Sequence, residues 1–392
     1  MEACQPILNT GLRGFKVATT RISDIDGVAG RLVYRGYLVP DLAGKVSFEE
    51  VVYLILFEQL PKKDELENFK SQLVSERSVP PEVIAALKTR PKDALPMDIL
   101  QASVALLAHH DPDTREYSRE ATLRMGIKLI AKFPTIVAAW NRIRNNSEPV
   151  DPNPDLDHAA NFLYMLNGTI PDEELSGFLD TCLVLHAEHS FNASTFSARQ
   201  VASTKAHMYA AIAAAVGSLS GELHGGANAR VMEMLLKIGS LDKIETYVNH
   251  LLDSGGKIMG LGHAVYKTDD PRAHILAPMS KKMGERTGEP KWYEMSKALE
   301  KMGKKAFKER KGRDIFVNVD FYSASLYYYM GFPIDIFTPL FAIARISGWA
   351  AHVLEEQFGG AGSKPVLYRP DSEYIGDYCG PEVCNFVPMA SR

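Results

Sequence analysis

From Ser47 onward the apolar residues of this chain recur at helical spacing, and they almost never alternate as they would in a strand. Ser47-x-x-Glu50 has the form of a capping box ahead of Val51, Val52, Leu54, Ile55 and Leu56, and Pro61 stops that helix. Asp98 is placed to cap residues 99–108, and residues 116–133 carry Leu123, Ile127 and Ile130 on one side. A further helix over 156–166 ends at Asn167-Gly168, and Pro171 with Asp172, Glu173 and Glu174 opens the next. The only strand-like signal is N-terminal, where 15–22 and 31–33 flank Asp24-Ile25-Asp26-Gly27 and read as a short hairpin. The expectation is an all-α protein with a small β hairpin.

Residues 204–219 are crowded with alanine and glycine, which allows close approach on more than one side. That pattern fits a central buried helix or one at a subunit interface. With 392 residues, 46% apolar and 23% charged, the chain has material for two or three domains and is neither disordered nor fibrous. A net charge of −4 without like-charge blocks disfavours nucleic-acid binding; the densest basic stretch, 301–313, is interrupted by Glu309. No unbroken apolar run approaches the length of a membrane span, and the N-terminus has no presequence pattern. Cys4, Cys182, Cys379 and Cys384 form no CxxC pair, so reduced thiols and a cytoplasmic location are expected.

Chemistry concentrates around histidine. Seven of the eleven histidines fall between His186 and His274, and three lie in notable surroundings: Glu188-His189-Ser190, Leu223-His224-Gly225-Gly226 and Gly262-His263-Ala264. Imidazole suits proton transfer near neutral pH, and adjacent glycine gives substrate access to ring and backbone together. Asp320 stands among apolar and aromatic neighbours, where a carboxyl can be tuned as a base. Arg272, Arg345 and Arg369 offer guanidinium forks for carboxylates. His186 and His189 could share a helical face, but zinc spacings are missing and no metal is expected. Gly260-Leu261-Gly262 is not a dinucleotide fingerprint, Gly359 to Lys364 is not a P-loop, and no nucleophile elbow occurs. Acid–base catalysis is the chemistry left.

Several segments then carry a resemblance in order along the chain. They are Arg21-Ile22-Ser23-x-Ile25-Asp26-Gly27 through Tyr34-Arg35-Gly36-Tyr37, His186-Ala187-Glu188-His189 with Asn192-Ala193-Ser194-Thr195, and Leu223-His224-Gly225-Gly226-Ala227-Asn228. Gly262-His263-Ala264-Val265-Tyr266-Lys267 with Asp270-Pro271-Arg272 and Asn318-Val319-Asp320 complete the set. Over nearly its whole length the chain resembles the citrate synthase family. The resemblance implies a large helical domain (1–224 and 332–392), a smaller mobile helical domain (225–331) and a homodimer. It implies that Asp320 deprotonates acetyl-CoA, His224 holds the thioester oxygen and His263 protonates the oxaloacetate carbonyl. His189, Arg272 and Arg345 would bind oxaloacetate, with Arg369 supplied by the partner subunit. Lys257, Gly262, Lys267 and Arg313 are the candidate contacts for coenzyme A, a co-substrate rather than a permanently bound cofactor. Phe321 and Leu261 are candidate walls of the acyl pocket.

The implied reaction gives citrate and CoA. A 2-methylcitrate synthase using propionyl-CoA is the nearest alternative, and a catalytically silent regulatory relative the alternative of another class. The chain starts too close to its first matching motif to hold the extra N-terminal domain of the larger, NADH-inhibited synthases, so that regulation is not expected. The tail 377–384 is left unassigned.

Overall fold

The computed structural model describes residues 11–12, 14–359, 366–376 and 388–391. Cys4, Cys379, Cys384, the tail 377–384 and most of the loop from Gly359 to Lys364 lie outside them. Strands β1 (Ser23–Asp26), β2 (Arg31–Tyr34) and β3 (Tyr37–Leu38) form an antiparallel meander. Helices follow: α1 (Val39–Leu42), α2 (Phe48–Phe57), α3 (Lys63–Glu76), α4 (Pro81–Lys88), α5 (Pro96–Leu107) and α6 (Arg119–Arg144). The middle of the chain gives α7 (His158–Asn167), α8 (Glu173–His186), α9 (Ala193–Ala202), α10 (Met208–Ser220), α11 (Ala227–Ile238) and α12 (Ile244–Asp253). Then come α13 (Pro271–Thr287), α14 (Lys291–Lys311), α15 (Val319–Tyr329) and α16 (Phe337–Phe358). The all-α expectation holds.

The local signals explain most boundaries. At α2 the Ser47 hydroxyl accepts from the Glu50 N–H while the Glu50 carboxylate accepts from the Ser47 N–H, so both arms of the capping box form. Gly168 ends α7 in the left-handed conformation expected of a C-terminal glycine. Four readings need correction. Asp24-Ile25-Asp26 belongs to β1, pairing with β2, and the turn lies between Asp26 and Arg31. Asp98 sits inside α5, because Pro96 takes the first turn, where its missing N–H costs nothing; Asp98 then supplies negative charge near that terminus. At α8 the expected opening shifts by a residue: Pro171 lies just before the helix, Asp172 caps it by accepting from the Leu175 N–H, and Glu173 and Glu174 fill the first turn. Finally α6 runs straight through Pro134, whose cost is outweighed by burial along most of the helix.

The core is organised around α16, which packs against α2, α6, α8, α9 and α10. By length and mean hydropathy Ile334–Phe358 passes as a membrane span, contrary to the reading of unbroken runs alone; 83% of its apolar window is buried inside the fold. It is a core helix. The small-residue helix α10 starts at Met208, later than expected, with His207 as its cap. Tyr209, Ile212, Val216 and Leu219 are buried, while Ala210, Ala213, Ala214 and Gly217 form a half-exposed strip. One face belongs to the core; the other is half-exposed, with Gln101 of α5 lying against Gly217 and donating to the Ala213 carbonyl.

Candidate active site

Two stretches far apart in sequence, 260–270 and 316–318, are brought together by short backbone ties. The Gly262 N–H donates to the Phe316 carbonyl (2.7 Å), and the Asn318 N–H to the Gly260 carbonyl (3.0 Å). Asp270 N–H reaches the Val317 carbonyl (3.0 Å), so the His263, Arg272 and Asp320 segments are tied to one another. Asn318 caps α15, accepting from the Asp320 N–H, and its amide donates to the Gly262 carbonyl (3.1 Å). The 221–225 turn comes so close to the end of α10 that a Cβ on Gly225 would lie 1.8 Å from the Leu219 carbonyl oxygen. Only glycine fits beside His224.

A cavity of about 710 Å3 is lined by His189, His224, Gly262, His263, Arg272, Asp320 and Arg345, with Asp24, Ile25, Phe191, Leu219, Leu223 and Val265 among its other walls. A second cavity, of about 660 Å3, lies by His109, Arg115 and His207 and gathers none of the proposed acid–base groups. The larger cavity is therefore the candidate site.

Two of the cavity's histidines, His224 and His263, have a defined tautomer. His224 Nε2 accepts from the Ser194 N–H (3.1 Å) and lies 2.8 Å from Ser194 Oγ, itself held by the indole N–H of Trp349 (3.1 Å). Nδ1 therefore carries the proton. His263 is reversed: its Nδ1 accepts from the Val265 (3.0 Å) and Tyr266 (3.2 Å) N–H groups, leaving Nε2–H as the donor. Burial, then the nearby guanidinium (Arg345 for His224, Arg272 for His263), pushes each imidazole down to about 4. His189, buried 3.4 Å from the Tyr266 hydroxyl, is likewise held well below its ordinary value by burial. All three are neutral at pH 7, and His224 and His263 present defined N–H donors.

Asp320 shifts the other way. Burial of its carboxyl, opposed by Arg272 and reinforced by Asp270, raises it to about 6. Arg272, buried at the start of α13, is gripped on one edge by Asp270 (2.9 and 2.6 Å), which leaves the rest of its fork to the cavity. Arg345 donates from Nε to the His186 carbonyl at the end of α8 (2.8 Å) and lies on the Phe341 ring. Its Nη2 is buried with no hydrogen-bond partner among the described residues. Such an orphan is costly unless an acceptor arrives, and a carboxylate fits it.

His189, His263 and Asp270 each bring one donor atom within 4.8 Å of the others. Both Asp270 oxygens are engaged by Arg272, however, so that donor set is pre-empted. His186 ends α8 and points away from His189, its Nδ1 bonded to the Cys182 carbonyl, so the two do not share a helical face. Arg369 is exposed and does not line the cavity, and neither do the exposed Lys257, Lys267 and Arg313. Phe321 is fully buried behind the site, and Leu261 also lies off the cavity wall. Sequence reasoning missed the supports Trp349 and Arg230, which donates to the Glu222 and Gly225 carbonyls. Nothing in the local spacing of α16 signalled Trp349 as a support.

The fold thus sets three imidazoles, a raised carboxyl and two buried guanidinium groups around one cavity. Residues 11–371 match the family model described as citrate synthase, C-terminal domain. The chain is 44% identical over 390 residues to a citrate synthase of Haloferax volcanii, covering 98% of this chain and 99% of the relative. A 2-methylcitrate synthase of Shewanella oneidensis is 36% identical over the full length of both. Among solved structures, citrate synthase from Pyrobaculum aerophilum superposes with a TM-score of 0.89 at 39% identity, over 97% of this chain and 95% of that one. A Thermoplasma acidophilum citrate synthase in ternary complex with carboxymethyl coenzyme A and oxaloacetate gives 0.89 at 31% identity, over 97% of this chain and 98% of that one. The chain belongs to the citrate synthase family, and is thereby an acyltransferase.

Proposed function

We propose that this chain condenses acetyl-CoA with oxaloacetate and hydrolyses the resulting citryl thioester to citrate and CoA. One observation carries the reading: a carboxyl raised to about 6 faces the same cavity as two neutral imidazoles whose free N–H groups are fixed. Asp320 takes a proton from the acetyl methyl while His224 passes its Nδ1 proton to the thioester oxygen, giving the enol, and takes that proton back as the new carbon–carbon bond forms. The enol carbon forms a bond to the oxaloacetate carbonyl carbon as His263 Nε2–H delivers its proton to that carbonyl oxygen. Water then cleaves the thioester. Arg272, Arg345 and His189 hold oxaloacetate, a role supported by the unpartnered Nη2 of Arg345.

The working unit we infer is a cytoplasmic homodimer in which Arg369 reaches the partner's site; the half-exposed small-residue strip of α10 supports close packing there. The small domain is placed at 225–331, where α11 to α15 pack mainly on one another, and 1–224 with 332–392 form the large one. Of the CoA contacts, Gly262 has the clearest support, since it lines the cavity. Lys257, Lys267 and Arg313 would meet the outer part of the cofactor-sized substrate.

Propionyl-CoA is the second acyl donor to test, because a 2-methylcitrate synthase is among the relatives. The two donors differ by one methylene, worth about 1–3 kcal/mol in a pocket. The expected ratio of kcat/KM at saturating oxaloacetate therefore favours acetyl-CoA by about 10- to 200-fold. A ratio favouring propionyl-CoA overturns the acyl preference, and no turnover with either overturns the reaction.

A further inference from the structure

The motif Ile25-Asp26-Gly27 takes no part in the chemistry above, yet its backbone lies against the loop that carries His263. That loop, 261–268, has little regular structure of its own beyond a single bridge between Leu261 and Val317. It leans instead on the turn joining β1 to β2. The Lys267 N–H donates to the Gly27 carbonyl (2.7 Å). A Cβ on Gly27 would lie 2.3 Å from the Val265 carbonyl oxygen and 2.9 Å from its carbon, and one on Gly30 would lie 2.7 Å from the Thr268 methyl. Two glycines, three residues apart, thus bring the turn into direct contact with the loop.

The turn is itself fixed. Asp26 Oδ1 accepts from the Val28 (3.0 Å) and Ala29 (2.8 Å) N–H groups, and Oδ2 pairs with its cross-strand neighbour Arg31 (2.9 Å). On the loop side, Val265 and Tyr266 are the residues whose N–H groups set the His263 tautomer and ring plane. Val265, in turn, is the residue that meets Gly27. A shift of the turn must pass to His263 through the two backbone groups that orient it.

We propose that the β1–β2 turn, through Gly27 and Gly30, is a positioning element that sets the His263 imidazole for proton delivery. This rests on the reading of His263 as the proton donor. In physical terms a misplacement of about 1 Å at a reacting group costs on the order of 100-fold in rate.

The test compares Gly27→Ala, Gly30→Ala, Thr268→Ser and the pair Gly30→Ala/Thr268→Ser in the full-length enzyme. Each is measured for kcat, oxaloacetate binding in the absence of acyl-CoA, and Tm. Gly27→Ala is expected to lower kcat about 10- to 100-fold while oxaloacetate binding, held by the arginines, changes less than about two-fold. Gly30→Ala is expected to lower kcat less, because a side-chain methyl gives more readily than a backbone carbonyl. The pair should recover most of that loss, since Thr268→Ser removes the methyl that Gly30→Ala strikes. Left-handed strain at position 30 is common to the single and the paired variant, so recovery isolates the contact. A kcat for Gly27→Ala within two-fold of the parent overturns the proposal; should that variant fail to fold, an unrecovered pair does so. His263→Asn is run beside them. If it turns over normally, the proton-donor reading itself fails, whatever the glycine variants do.

Discussion

As the proposed base, Asp320 needs two properties that pull apart: it must be ionised at working pH, yet basic enough to take a carbon-bound proton. A carboxyl raised to about 6 by burial meets both, being mainly carboxylate at pH 7 with a stronger pull on a proton than an exposed aspartate. The sign follows directly. As pH falls through about 6 the base becomes protonated and the rate drops, while the two imidazoles, lowered to about 4, stay neutral over that range. An acid limb of kcat near pH 6 is therefore expected, and a limb near 4 would count against Asp320 as the base. Asp320→Asn should lower kcat by about 100-fold or more with oxaloacetate binding retained. Near-normal turnover of the purified variant would remove the assignment. These residues were legible because glycine flanks two of the histidines and because Asp320 stands alone as an acid in its segment. Their supports were not: Ser194 and Trp349 fix the His224 tautomer from two helices that no local spacing connects.

At the scale of elements, helices were readable wherever a cap and a 3.6-residue period agreed, as at α2 and α7. The hairpin was misplaced because Asp24-Ile25-Asp26-Gly27 has turn composition, whereas the pairing of Asp26 with Arg31 settles the register. The helix read over 116–133 ends too early for a related reason: burial by neighbouring helices carries α6 through Pro134 to Arg144. Where α8 meets the start of α2, Asp180 accepts from the Phe48 N–H (2.9 Å) beside the buried Glu49. Burial first, and the Glu49 and Asp157 carboxylates with it, push Asp180 up to about 7. Below its ordinary value of 3.8 the group is protonated in both folded and unfolded chains, so it adds no pH dependence. Between there and about 7 the unfolded chain releases the proton while the folded one keeps it, so stability falls as pH rises; above 7 the full cost remains. Asp180→Asn retains an acceptor for Phe48 and removes that cost. We expect Tm to rise by about 2–4 °C at pH 8 and to stay nearly unchanged at pH 4. A lower Tm at pH 8 would show that the carboxylate's bond at the α2 terminus outweighs its burial.

Across the whole molecule, the site joins residues more than a hundred positions apart, and that convergence was legible only through the family resemblance. The ties between 260–262 and 316–318 are backbone hydrogen bonds, which carry little side-chain signature in the sequence. The subunit arrangement calls for a different argument. Arg369 is exposed and off the cavity of its own chain, although the residue before it is anchored: Tyr368 donates from its hydroxyl to Glu356 (3.1 Å) and from its N–H to Ser203 (3.3 Å). A held segment that presents an arginine outward is suited to serve a neighbouring site, and in the proposed dimer the half-exposed small-residue strip of α10 would allow close packing. Subunits carrying Arg369→Ala and subunits carrying Asp320→Asn, each nearly inactive alone, provide the test when mixed. In a heterodimer the Arg369→Ala subunit keeps its own Asp320 and receives an intact arginine from its partner, so one of the two sites is whole. Random exchange makes half the dimers hetero, so recovery to about a quarter of parental activity is expected for a two-fold dimer. If exchange is demonstrated and activity does not return, the arginine acts within its own chain or not at all.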